Sequence, residues 1–131
     1  MDTGALVCLL DRSQGAHREF VDFFDAWTDQ IVTPEAVLTE ATHLLARVHG
    51  GTAACLDFVL SGGAVLVPAG SISVRRAREL MLQYADCPMD FADATLVVLA
   101  EDLNTNVVLT TDRRDFSVYR IGGRKRFTVH V

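Results

Sequence analysis

The sequence predicts an α/β fold with a mainly parallel sheet, in one domain spanning residues 1–131. Helical periodicity and short apolar strand patterns alternate from end to end, as they do where strands are joined by helical crossovers. No internal repeat, low-complexity segment or long linker divides the chain, and 131 residues suit one domain with its own core. Half of the residues are hydrophobic and 22% are charged, a globular composition that excludes a disordered chain.

The elements follow in order. Residues 3–11 read as a short buried helix. Residues 16–28 carry Phe20, Phe23, Phe24 and Trp27 at i, i+3, i+4 and i+7, which predicts an amphipathic helix. Gln30-Ile31-Val32 is a brief strand. Thr33 then reads as an N-cap with Pro34 in the first helical position. That helix places Val37, Leu38, Ala41, Leu44, Leu45 and Val48 on one face and stops at Gly50-Gly51. A helix over 52–61 ends at Gly62-Gly63, and Ala64–Val67 is a strand closed by Pro68. Ser71 or Ser73 caps the next helix, which runs to about Ala85 with Ala77, Leu80, Met81 and Tyr84 inward. Cys87-Pro88 breaks the chain. Residues 90–103 form a helix that is apolar nearly all round after Asp93, hence central and buried. Val107–Thr110 is a strand, and residues 117–131 make a last strand or a hairpin around Gly122-Gly123.

Composition excludes several classes of protein. No apolar run approaches the ~20 residues a membrane helix requires. The N-terminus lacks the basic and apolar regions of a signal peptide, which predicts a cytoplasmic protein. Cys8, Cys55 and Cys87 are widely spaced, with no CxxC or zinc-ligand pattern, so they read as reduced, packed thiols. The net charge of −5 disfavours non-specific nucleic-acid binding. If several acids are gathered around a cation, however, the remaining surface is nearer neutral. The clusters Arg75, Arg76, Arg78 and Arg124, Lys125, Arg126 can then face a polyanion. No aromatic stacking platform is evident, because Trp27 and most of the phenylalanines read as core.

Four acids stand where apolar segments should hold no charge. Asp2 opens the apolar run 4–10 and also suits a helix N-cap. At about 100° per residue, Glu40 lies roughly 80° from the centre of its helix's apolar face, with His43 and Arg47 continuing its stripe. Pairing with Arg47 is its plain structural role. Asp90 and Asp93 share one side of a helix start, where the macrodipole favours acids. Asp112 follows Val-Val-Leu-Thr-Thr in the crevice outside the carboxyl end of a strand, where open α/β sheets bind ligands. Asp115 in the same turn reads as structural. An ionised carboxylate near a core is costly unless it is paired or coordinates metal. Carboxylates without cysteine or histidine partners suit Mg²⁺ or Mn²⁺ rather than zinc. Such ions activate water and stabilise the leaving oxygen of a phosphodiester, so the expected chemistry is metal-assisted hydrolysis.

The strings Asp2-Thr3-Gly4-Ala5-Leu6-Val7, Thr33-Pro34-Glu35-Ala36-Val37-Leu38-Thr39-Glu40, Asp90-Phe91-Ala92-Asp93-Ala94 and Leu109-Thr110-Thr111-Asp112-Arg113-Arg114-Asp115-Phe116 resemble the PIN-domain ribonucleases, and most closely the VapC-like toxins of toxin–antitoxin pairs. The likeness covers essentially the whole chain, in family order and spacing. It implies a three-layer fold with a mainly parallel five-stranded sheet between helices. It further implies an Mg²⁺- or Mn²⁺-dependent endoribonuclease, dimerisation, and inhibition by a small antitoxin protein. Asp2, Glu40, Asp93 and Asp112 would be the catalytic, metal-binding quartet and Asp90 an auxiliary acid near a second metal. Thr3 and Thr111 would support the carboxylates beside the substrate. Arg47, Arg75, Arg113 or Arg114 would neutralise the RNA backbone.

In the family a short apolar strand leads into the first Asp, whereas here only Met1 precedes Asp2. Losing that strand would leave backbone groups of its neighbours unpaired. The expectation is therefore a native start upstream of Met1, a trimmed chain, or another segment or chain filling the place. Two rival functions follow. A non-catalytic PIN-like module would bind RNA or protein and use its acids for fold or regulation. A response-regulator-like phosphotransfer domain would need a lysine after its last strand, and the one lysine, Lys125, sits in a hairpin between arginines.

Overall fold

Helices and short parallel strands alternate along the chain, and the computed structural model describes all 131 residues. Helices α1 (Thr3–Leu10) and α2 (His17–Ala26) precede strand β1 (Val32–Pro34). Helices α3 (Glu35–Leu45) and α4 (Gly51–Leu60) lead to β2 (Val65–Val67), and α5 (Ser71–Gln83) and α6 (Phe91–Asp102) lead to β3 (Val107–Leu109). The chain closes with α7 (Arg113–Val118), β4 (Arg120–Ile121), β5 (Lys125–Arg126) and β6 (Thr128–His130). No helix is long and apolar enough to cross a membrane.

Strand β1 pairs in parallel with β2, Val32 opposite Val65, and β3 pairs in parallel with β6, Val107 opposite Thr128. Strands β4 and β5 form an antiparallel hairpin that turns through Gly122 and Gly123 at φ of 58° and 72°, angles that favour glycine. Met1 and Asp2 lie between the two parallel pairs. The Met1 ammonium donates to the Val32 carbonyl at 2.6 Å, and the Asp2 amide donates to the Leu109 carbonyl at 2.9 Å. The order across the layer is thus β2, β1, Met1–Asp2, β3, β6. It has five positions, and the middle one is only two residues long. Behind Met1 a cavity of about 270 Å³ runs between the pairs, lined by Trp27, Ile31, Val32, Leu103, Val107 and Leu109.

Two apolar clusters flank this layer. In one, Ala5 and Leu6 of α1 meet Val37, Ala41 and Leu45 of α3 and Cys55 of α4. In the other, Ala77 and Leu80 meet Ala94, Val97 and Val98 of α6, together with Val108, Phe116 and Tyr119. Helix α6 is buried on nearly every side from Ala92 to Ala100, as its unbroken apolar composition requires. A fully buried leucine such as Leu6 or Leu45 contributes about 2 kcal/mol through the area it removes from water. The cysteines are free thiols, with Cys8 and Cys55 buried.

Three local expectations need correction. Thr33 does not cap α3: its hydroxyl donates to the Met1 carbonyl at 2.8 Å, and Pro34 occupies the cap position without a side-chain bond. Neither Ser71 nor Ser73 caps α5, whose cap residue is Gly70. Residues after Asp112 form a short helix rather than a turn.

Candidate active site

The first turns of α1 and α6, the middle of α3 and the chain end of β3 converge at the carboxyl edge of the parallel strands. Asp2 is the N-cap of α1 and is buried. Its Oδ1 accepts the Thr3 amide at 2.6 Å and its Oδ2 accepts the Thr110 hydroxyl at 2.6 Å. Burial pushes its carboxyl above the ordinary range, and the nearby Asp90 charge adds to this, against the pull of Thr110, Thr3 and the Met1 ammonium.

Glu40 is half-buried and accepts the Thr3 hydroxyl at 2.7 Å, so Thr3 joins two of the acids through its amide and its side chain. Burial raises the Glu40 carboxyl, and the charges of Asp90 and Asp2 raise it further. Asp93 is pushed up to about 7, by burial first and then by Asp90 and Asp2. The hydroxyl of the buried Tyr119 donates to its Oδ2 at 3.3 Å. Asp90 caps α6 by accepting the Asp93 amide at 2.8 Å. Asp2, Glu40, Asp90 and Asp93 are therefore electrostatic neighbours drawn from three separate segments.

Asp112 stands at the same edge but is engaged differently. Its Oδ1 accepts the Asp115 amide at 2.9 Å as the cap of α7, and its own amide donates to Thr110 Oγ1 at 2.9 Å. Thr110 is fully buried and links Asp2 to Asp112. Sequence reasoning missed this residue and named Thr111 instead. The signal available was strand alternation, which puts position 110 on the same side as the buried Val108. Thr111 is exposed and packs against α1, where a Cβ built on Gly4 would lie 2.1 Å from its Oγ1. Tyr119 was likewise missed, and nothing in its sequence surroundings marks it.

The arginines are less closely placed. Arg47 lies exposed after α3, and Arg113 and Arg114 lie exposed at the start of α7. None of them pairs with a carboxylate, so Glu40 is not the partner of Arg47. Arg75 is also exposed, while its neighbour Arg76 grips Glu101 with two bonds of 3.0 and 2.9 Å. Asp115 accepts the Cys87 thiol at 3.8 Å, and burial and then the neighbouring Asp112 raise its carboxyl.

No three of these carboxylates are drawn together into a ready-made cage for a cation. The donor set nevertheless fits a hard divalent ion: it is all oxygen, partly desolvated, and carries mutually repelling charge that a cation would offset. Beside the cluster a cavity of about 500 Å³ opens, and Glu40 and Asp90 line both.

A family model described as the PIN domain matches residues 1–122. The chain is 34% identical over 131 residues to Ribonuclease VapC26 of Mycobacterium tuberculosis, spanning 98% of this chain and 97% of that protein. It is also similar in fold to the crystal structure of Mycobacterium tuberculosis VapC20, described as a Sarcin-Ricin loop cleaving toxin. The TM-score is 0.80 at 18% identity, covering 87% of this chain and 89% of that one.

Proposed function

We propose, since this chain belongs to the PIN-domain family and to its VapC-like branch, that it is a divalent-metal-dependent endoribonuclease, the toxin of a toxin–antitoxin pair. The observation that carries the reading is the gathering of Asp2, Glu40, Asp90 and Asp93 into one partly desolvated cluster, in which Asp90 raises the proton affinity of the other three and Asp2 raises that of Glu40 and Asp93. Such an arrangement is costly in the absence of a counter-charge.

In this reading Asp2, Glu40 and Asp93 hold Mg²⁺ or Mn²⁺, with Asp112 reached through Thr110 and Asp90 an auxiliary ligand. A bound cation of this kind supplies an activated water and neutralises charge on the phosphate. The residues of the chain do the rest. Thr3 and Thr110 hold the carboxylates Glu40 and Asp2 in place through hydrogen bonds that leave other lone pairs free. Tyr119 steadies Asp93. Arg47, Arg113 and Arg114, unpaired and exposed, are available to the RNA backbone. Likeness to Ribonuclease VapC26 supports RNA as substrate, and the toxin family supports a cognate antitoxin, a homodimer and a cytoplasmic setting.

The test is cleavage of a structured RNA by the purified protein. Mg²⁺ or Mn²⁺ is expected to be required, a chelator to stop the reaction, and Asp93→Asn to slow it about 10²-fold or more. A folded protein that cleaves no RNA with either metal overturns the reading. A second reading, a non-catalytic RNA- or protein-binding module, is favoured by the missing ready-made cage. Calorimetry separates the two, because such a module would bind RNA with no need for divalent metal.

A further inference from the structure

The cavity beside the carboxylates has a wall that cation binding does not explain. It is lined by Glu35 and Thr39 of α3, by Ala69 after β2, and by Phe91 in the first turn of α6, together with Glu40 and Asp90. Phe91 is 40% exposed and is the only aromatic among the exposed large apolar side chains of the chain. Phe23, Phe24, Phe58, Phe116 and Phe127 each pair with another ring and Phe20 is buried in the core, whereas Phe91 pairs with no ring and is open. An aromatic face left open beside a phosphodiester-cutting centre has an obvious use, because every nucleobase presents a face that stacks on it.

Charge narrows the occupant. Glu35, Glu40 and Asp90 make the cavity walls acidic, so a phosphate is repelled from it while a neutral base enters. An ionised carboxylate only accepts hydrogen bonds. Glu35 is exposed and forms no ion pair or side-chain hydrogen bond, so both its oxygens are available. Guanine alone presents two adjacent donors, N1–H and the N2 amine, to such a group. Adenine and cytosine set a ring acceptor beside their one amine, and uracil flanks its single N–H with carbonyls.

We propose that this cavity is a nucleobase subsite: it takes the base flanking the scissile phosphate, stacks it on Phe91, and selects guanine through Glu35. The proposal rests on the ribonuclease reading for its role, since the cavity shares Glu40 and Asp90 with the carboxylate cluster. Its binding chemistry stands on the cavity alone.

Two measurements test it. In the first, the nucleosides guanosine, inosine and adenosine are titrated into the intact protein and followed by NMR shifts. Guanosine is expected to bind tightest, and inosine, which lacks the N2 amine, more weakly. Phe91→Ala should weaken guanosine about tenfold, Phe91→Tyr should restore it, and Glu35→Gln should erase the preference over inosine. In the second, RNA cleavage sites are mapped, with guanine expected beside the cut and Phe91→Ala raising KM more than it lowers kcat. Equal binding of the three nucleosides, or binding indifferent to Phe91→Ala, overturns the subsite even if RNA is cut. Guanosine binding of the expected pattern without RNA cleavage supports the subsite and overturns the ribonuclease reading instead.

Discussion

A single hydroxyl, that of Thr110, ties residue 2 to residue 112, because it donates to Asp2 Oδ2 and accepts the Asp112 amide. Thr110→Val keeps the shape and removes the donor, leaving a buried carboxylate oxygen unpaired. A loss of about 1–3 kcal/mol in stability is expected from denaturant unfolding, and RNA cleavage should fall about 10- to 100-fold. Unchanged stability and activity would show that the link is idle. Asp93 gives a second residue-level prediction. Its pKa of about 7 means that the metal-free fold holds a proton there which the unfolded chain has already released above its usual carboxylate range. The folded state therefore binds more protons through that window, and metal-free stability falls as pH rises from about 4 toward about 7. A cation must displace this proton. Calorimetry should show Mg²⁺ affinity weakening about tenfold per pH unit below 7, with proton release on binding; affinity flat between about pH 5.5 and 7.5 would refute this. At this scale the acids were legible because charge interrupts apolar patterns. Their hydroxyl partners were not, because Thr110 and Thr111 are alike in sequence and only the register of β3 tells them apart.

Among the elements, α1 and the segment after β3 approach so closely that Gly4 leaves no space for a side chain. A Cβ there would lie 2.1 Å from Thr111 Oγ1 and 3.3 Å from its Cβ. Gly4→Ala is expected to cost about 1–3 kcal/mol by overpacking, and Thr111→Ala in the same chain should recover most of it. Additive losses in the double variant, read by chemical unfolding, would disprove the contact. The long periodic elements were legible, α6 above all, since nothing but central burial suits a run such as Thr95 to Ala100. The short ones were not. Helix α7 has only 6 residues, too few for periodicity to show, and it forms because Asp112 caps it and Phe116 is buried beneath it. Thr33-Pro34 carries a sound helix-start signal. Tertiary structure overrode it, since the Thr33 hydroxyl is drawn instead to the Met1 carbonyl.

Over the whole molecule, the parallel layer brings Asp2, Glu40, Asp90 and Asp93 together at one edge, with Asp112 joined to Asp2 through Thr110. The alternation of helix and strand made that convergence foreseeable. What sequence did not show is how Met1 and Asp2 are tied to β1 and β3, through two backbone bonds and the hydroxyl of Thr33. A net charge of −5, much of it in this cluster, sets the molecule against RNA until a cation intervenes. The central claim is that this cluster, with Asp2 at its heart, is what cuts. The most direct measurement is the rate of cleavage of a structured RNA at saturating Mn²⁺ by the native protein and by Asp2→Asn, with both confirmed folded by circular dichroism. Cleavage is expected that a chelator abolishes in the native protein and that is slower by about 10²-fold or more in the variant. A folded Asp2→Asn protein that cleaves at the native rate would contradict it.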